Sequence, residues 1–276
     1  MGRPGYRQGP QPRTARRGSP LIGLVIAIVA LIGYFGSSQS NPVTGESQRV
    51  NITADQEIAL GLQAAPHMAA QYGGQITSGP DLDLVQRVGQ HLAHNTIAKK
   101  APYTFEFHLL ADTKTVNAFA LPGGQIFITR ALFNQLETEG QLAGVLGHEI
   151  GHVIERHGAE HMAKQQLTTG LTTAVATASD SAGAATVAQA IGSLLNMKYG
   201  RDDELESDEW GIQLMVEAGY DPRALIGVMQ ILEKASGGSR QPEFASTHPS
   251  PENRIGRIEQ NIKNAYPNGL PTNLRK

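Results

Sequence analysis

The segment His148-Glu149-Ile150-Gly151-His152 constrains this chain more than any other feature. On a helix, residues four apart share a face, so both imidazoles can reach one metal ion. The glutamate beside them can take a proton from a metal-activated water, whose pKa falls to about 7. Two histidines do not complete such a site. A catalytic zinc needs a third protein ligand and one position left for water. The chain has no cysteine, so the third ligand is a His, Asp or Glu from elsewhere, and the fold must return to this helix.

The spacing of Leu142, Val145, Leu146, Ile150 and Val153 predicts one long helix over 139–165. Tyr103 to Leu110 alternates like a half-buried strand, and the runs 116–121 and 125–129 flank Pro122-Gly123-Gly124 as a hairpin. Further helices are expected from a capping box at Thr53 and Gln56, from Pro80-Asp81, over 202–219, from Asp221-Pro222 to Lys234, and over 252–265. The expected fold class is therefore α+β: mainly helical, with a small β-sheet beside the active-site helix. Apolar residues at 40% and charged residues at 17% are enough to build its core.

The N-terminus reads differently. Arg3, Arg7, Arg13, Arg16 and Arg17 precede the apolar run Leu21–Phe35. The expected organisation is a basic cytoplasmic tail (1–20), a membrane segment (21–38), a linker (39–52), with 36–50 unstructured or linking, and a globular domain carrying the metal site (53–276). Two readings of the membrane segment stay open. It is an uncleaved anchor, or a signal whose Gly36-Ser37-Ser38 is cleaved. In either case the arginines stay inside and the bulk is exported, to the periplasm if the source is Gram-negative. Apart from those five arginines, 18 basic residues face 25 acidic ones, about −7. Such a domain is a poor nucleic-acid binder.

The better candidate for the third ligand lies in Arg201 to Asp208. Glu204 and Asp208 share a helical face, so Glu204 can bind zinc while Asp208 hydrogen-bonds a ligand histidine. Glu206 points elsewhere. His157 and His161 are expected behind the ligands or on the surface, because His157 is poorly placed on the His152 face of a continuous helix.

Together with Asn117-Ala-Phe-Ala-Leu-Pro-Gly-Gly124 and His248-Pro249 with Arg254, these elements resemble the gluzincin metallopeptidases that include the HtpX heat-shock peptidases, the CAAX prenyl endopeptidases and periplasmic bacterial relatives. The resemblance spans roughly 51–262. It implies one zinc ion per chain held by His148, His152 and Glu204, with Glu149 as general base and Asp208 behind a ligand. It also implies that His248 and Arg254 stabilise the oxyanion, and that Asn117, Ala118, Phe119 and Ala120 form the edge strand that adds an extended peptide. Members with several membrane spans place the site at the bilayer, whereas only one convincing apolar segment occurs here.

The expected activity is zinc-dependent hydrolysis of internal peptide bonds in exported or membrane-associated polypeptides, plausibly in protein quality control. The expected location is a bacterial inner membrane, single-pass. The alternative is a noncatalytic chaperone or assembly factor holding unfolded chains in the same groove, and a weaker third reading is a zinc hydrolase of non-peptide bonds. The nearly uncharged stretch 167–197 is expected to control access to the site or to touch the membrane.

Overall fold

The computed structural model describes residues 19–178, 198–236, 243–249 and 253–276. The chain is mainly helical with two small sheets, an α+β arrangement. The larger sheet comprises β3 (Glu106–Leu110), β4 (Ala118–Leu121) and β5 (Gln125–Thr129), in the order β3-β5-β4. β3 runs parallel to β5, and β4 pairs with β5 as the expected antiparallel hairpin, with Ala118 opposite Ile128 and Leu121 opposite Gln125. Gly123 and Gly124 turn it with φ of 81° and 99°, a left-handed backbone that β-carbons disfavour.

Period-two alternation divides the sheet between two cores. Phe107, Leu109, Ala120, Ile126 and Ile128 face a core shared with α3 (Pro80–Asn95) and α5 (Glu139–Ile154). Leu110, Phe119, Leu121 and Phe127 face α2 (Ala54–Gln71) and Met162. β5 and β4 are both buried throughout, and β4 ends the sheet. Helix α5 is itself buried from Gly140 to Ile154. Its polar residues are therefore enclosed in protein, and burial of that kind requires partners.

Two expectations need correction. The single helix over 139–165 is two: α5 stops at Ile154 and α6 (His157–Ala178) begins three residues later. Arg156 makes the break with a φ of 56°. The cost of that left-handed backbone is about 1–2 kcal/mol, and buried interactions offset it. Arg156 pairs with buried Glu57 and donates from Nη2 to the Ile52 carbonyl at 3.0 Å. Glu57 is 99 positions away, too far for a local pattern to register.

Residues 39–52 are also not unstructured. β1 (Ser38–Ser40) and β2 (Ser47–Arg49) pair antiparallel. Their hairpin seals the end of α5, because Asn41 Nδ2 donates to the Ile154 carbonyl (2.8 Å) and Gln48 Nε2 to that of Glu155 (2.6 Å). The last carbonyls of a helix lack partners within it, and two polar side chains supply them here.

The stretch 167–197 is described only in its first part. Residues 167–178 continue α6, which packs along α1 (Pro20–Phe35), where Gly170 meets Ala30. The rest of that expectation, 179–197, lies outside the described residues. Helix α1 exposes Leu21, Leu24, Val25, Val29, Ile32 and Phe35. Among the described residues no helix is long and apolar enough to cross a membrane.

Helix α4 (Arg130–Phe133) follows β5. After α6 come α7 (Arg201–Glu217), α8 (Ala224–Ser236), α9 (Glu243–Thr247) and α10 (Arg254–Ala265). α7 crosses α5 very closely. A β-carbon on Gly151 would lie 3.0 Å from Trp210 Cβ and 3.1 Å from Ser207 Cα, and one on Gly211 would lie 3.3 Å from the His148 nitrogen. Glycine at these positions lets acidic side chains of α7 reach the α5 histidines.

Candidate active site

His148 and His152 turn their Nε2 atoms toward each other, 3.1 Å apart, from one face of α5. Glu204, in the first turn of α7, meets them with Oε2 at 3.5 Å from His148 Nε2 and Oε1 at 3.4 Å from His152 Nε2. His248, just after α9, completes the cluster with Nδ1 at 2.9 Å from Glu204 Oε1. One potential ligand atom from each of the four lies within 4.8 Å of the others, and all four residues are buried. Two imidazoles and a carboxylate suit a zinc-type metal. The unsatisfied atoms agree with such an occupant: both Glu149 oxygens and His248 Nε2 are buried without a hydrogen-bond partner. Four protein donors would close a tetrahedral metal, and hydrolysis needs a place for water, so three is the usable number.

Electrostatics follow from this crowding. Burial opposes charge on Glu204, but His248, His148 and His152 outweigh it and hold the carboxyl well below its ordinary range. Burial also opposes a proton on His148, yet Asp208 and Glu204 push that imidazole up to about 9. His152 is held well below 6.5, by burial first. Two rings so close share one proton at most, which is the charge a metal would replace. Glu149, 0% exposed, is raised by burial and so binds a proton more readily than a surface glutamate.

The two imidazoles are held from behind. His148 Nδ1 lies 3.0 Å from Asp208 Oδ1, and Arg254 forks that carboxylate with Nε and Nη2, both at 2.8 Å. Arg254 Nη1 sits 3.1 Å from Glu204 Oε2. Arg254 therefore stands behind the cluster with its guanidinium committed to two carboxylates, those of Asp208 and Glu204. His152 Nδ1 lies 2.9 Å from His157 Nδ1, and His157 Nε2 lies 3.1 Å from Glu206. His157 reaches this place only because the helix breaks at Arg156. His161 bonds Asp203 at 2.6 Å.

Tyr199, which no sequence signal marked, stacks on His152 with centroids 3.8 Å apart and is buried. Its one local hint was its place as an aromatic residue just before the acidic helix. Asn117 precedes β4 and is fully buried, and Ala118, Phe119 and Ala120 lie on β4 at the end of the sheet. His248 Nε2 lies 3.7 Å from Glu149 Oε1.

The sequence model of Peptidase family M48 matches residues 82–262. Mitochondrial metalloendopeptidase OMA1 of Schizosaccharomyces pombe is 29% identical over 91% of this chain and 74% of its own length. The beta-barrel assembly-enhancing protease of Escherichia coli is 32% identical over 80% of this chain and 47% of its own length. The OMA1 metalloendopeptidase of Danio rerio is 29% identical over 88% and 54%. The chain thus spans about half the length of the last two.

Proposed function

The chain belongs to peptidase family M48 and is a metallopeptidase acting on polypeptides, and we propose that it is a zinc-dependent endopeptidase cutting internal bonds of exported or membrane-associated proteins. The observation that carries this reading is the buried donor set of His148, His152 and Glu204, with an unpartnered Glu149 between the histidines in sequence and a sheet-edge strand nearby. When bound, the metal supplies Lewis-acid activation of water and of the scissile carbonyl.

The chain's own residues do the rest. An extended substrate pairs its backbone with β4, which makes binding largely independent of side chains along that edge. Glu149 takes the attacking water's proton and later returns it to the leaving amine. His248 donates to the oxyanion from its place beside Glu149. Arg254 acts through Asp208 and Glu204, holding the ligands in register.

Quality control of envelope proteins is the proposed setting, in keeping with relatives named as an assembly-enhancing protease and as mitochondrial metalloendopeptidases. The arginine-rich leader and the exposed apolar face of α1 support attachment to a bacterial inner membrane with the catalytic domain outside the cytoplasm. Zinc content and casein cleavage by the full chain and by Glu149→Gln test the catalytic reading. The variant should keep its zinc and lose about 10²–10⁴-fold in rate. A zinc-loaded wild type no faster than the variant would overturn the reading.

A further inference from the structure

A cleft opens between β4, α2 and α9. Met68, Phe119 and Leu121 form apolar walls, while Tyr72, Asn117 and Glu243 form a polar corner. His248 lines the same cleft, so the cleft is continuous with the cluster around Glu149. We propose that this cleft is a specificity pocket for a lysine or arginine side chain next to the scissile bond, a proposal that rests on the endopeptidase reading.

The polar corner can be accounted for donor by donor. Tyr72 has one O–H, which it gives to Glu243 Oε1 at 2.7 Å. Burial and the nearby Glu243 push its phenol far above the ordinary range, so that proton stays on the oxygen. The same oxygen must therefore accept from Asn117 Nδ2, at 3.2 Å. This orientation leaves Asn117 Oδ1 fully buried with no donor. Glu243 is exposed and has no cationic partner among the described residues.

What the corner offers an incoming side chain is thus a buried carbonyl acceptor and a carboxylate. Among the described residues no lysine or arginine lines the cleft. An apolar side chain would fill the walls but leave Asn117 Oδ1 unsatisfied, and an acidic one would meet Glu243. Lysine and arginine satisfy both demands, with an aliphatic stem against the walls and a cationic tip carrying several N–H donors. A site built to hydrogen-bond a substrate group discriminates strongly against analogues that lack it.

The test profiles casein fragments by mass spectrometry, followed by kinetics on matched peptides carrying Lys, Leu or Glu at the profiled position. Lysine and arginine should be enriched at one position flanking the cut, with kcat/KM at least about tenfold higher for Lys than for Leu, and lowest for Glu. Glu243→Lys, a change at an exposed residue, should invert the order of Lys and Glu. Cleavage with no basic preference, or with a preference that Glu243→Lys leaves untouched, overturns the pocket while sparing the endopeptidase. If the wild type cleaves nothing, fluorescence-polarisation binding of the same peptides to the full-length Glu149→Gln chain decides. Tighter binding of the Lys peptide sustains the pocket, and equal affinities overturn it.

Discussion

His148 and His152 sit one turn apart on the same helix and face the same point, yet what stands behind them differs in kind. Behind His148 is a closed ion pair: Asp208 and Arg254 are both buried and forked together. Behind His152 is a third imidazole, His157, which leans on the partly exposed Glu206. Glu155, Glu206, Glu46 and Glu160 crowd that side, and among the described residues the one lysine or arginine paired with them is Lys164, 3.5 Å from Glu160. One imidazole is anchored by neutralised charge and the other through a relay of weaker contacts that ends near solvent. Metal ligands need such partners to fix ring tautomer and orientation, and here a single helix recruits two different solutions.

The comparison predicts unequal losses. Asp208→Ala should do most damage, because it leaves Arg254 buried with only Glu204 to balance it. Removing one member of a buried pair costs about 3–5 kcal/mol, and zinc affinity should fall at least about 10–100-fold. Urea denaturation and a zinc competition titration measure the two effects. A stability equal to wild type would mean that the Arg254 fork carries no weight.

His157→Ala should weaken zinc binding by about 10–100-fold, with a smaller loss of stability. His157→Asn places an acceptor near the position of the lost Nδ1 and should recover most of that affinity. If both variants lose zinc equally, His157 merely fills space.

The acidic side should also give a pH signature. Burial, then Glu206, pushes the Glu155 carboxyl from 4.5 up to about 7. A folded pKa above the unfolded one means the folded state holds the proton more tightly, so the contribution is whole at low pH. It is lost as pH rises from about 4.5 to 7. Allowing for solvent screening, stability should fall by about 1–2 kcal/mol across that window, and Glu155→Gln should flatten it. Melting temperatures at intervals from pH 4.5 to 8 read the slope directly, and an upward slope removed by the substitution would reverse the assignment.

Glu206→Gln should matter least, at about 0.5 kcal/mol or below, since solvent reaches that carboxylate. A zinc affinity as poor as that of His157→Ala would show that the relay depends on its far end.

Much of this was legible in one dimension. The hairpin around Pro122-Gly123-Gly124 announces itself by turn chemistry, and the capping box at Thr53 and Gln56 forms as read, with Gln56 Oε1 accepting from the Thr53 nitrogen. The absence of cysteine left His, Asp or Glu as the third donor beside His148 and His152, and the helical face that Glu204 shares with Asp208, together with the family resemblance, singled out Glu204. Arg254 shows the opposite case. Its residue type suits an oxyanion site, but Asp208 and Glu204 hold it behind the ligands. Tyr199 carried no period or motif at all.

What the sequence determined by itself is whatever depends on neighbours within a turn or two: helix faces, caps, turns and the kinds of donor available for a metal. The tertiary structure alone decided where the active-site helix ends and what lies behind its second histidine. Arg156 adopts its left-handed backbone because Glu57 and the Ile52 carbonyl, about 100 residues earlier, hold its side chain. That break swings His157 onto His152. The tertiary structure likewise set Asn117 against Tyr72 and Tyr72 against Glu243, because contacts between distant segments exist only once the apolar faces between them are buried.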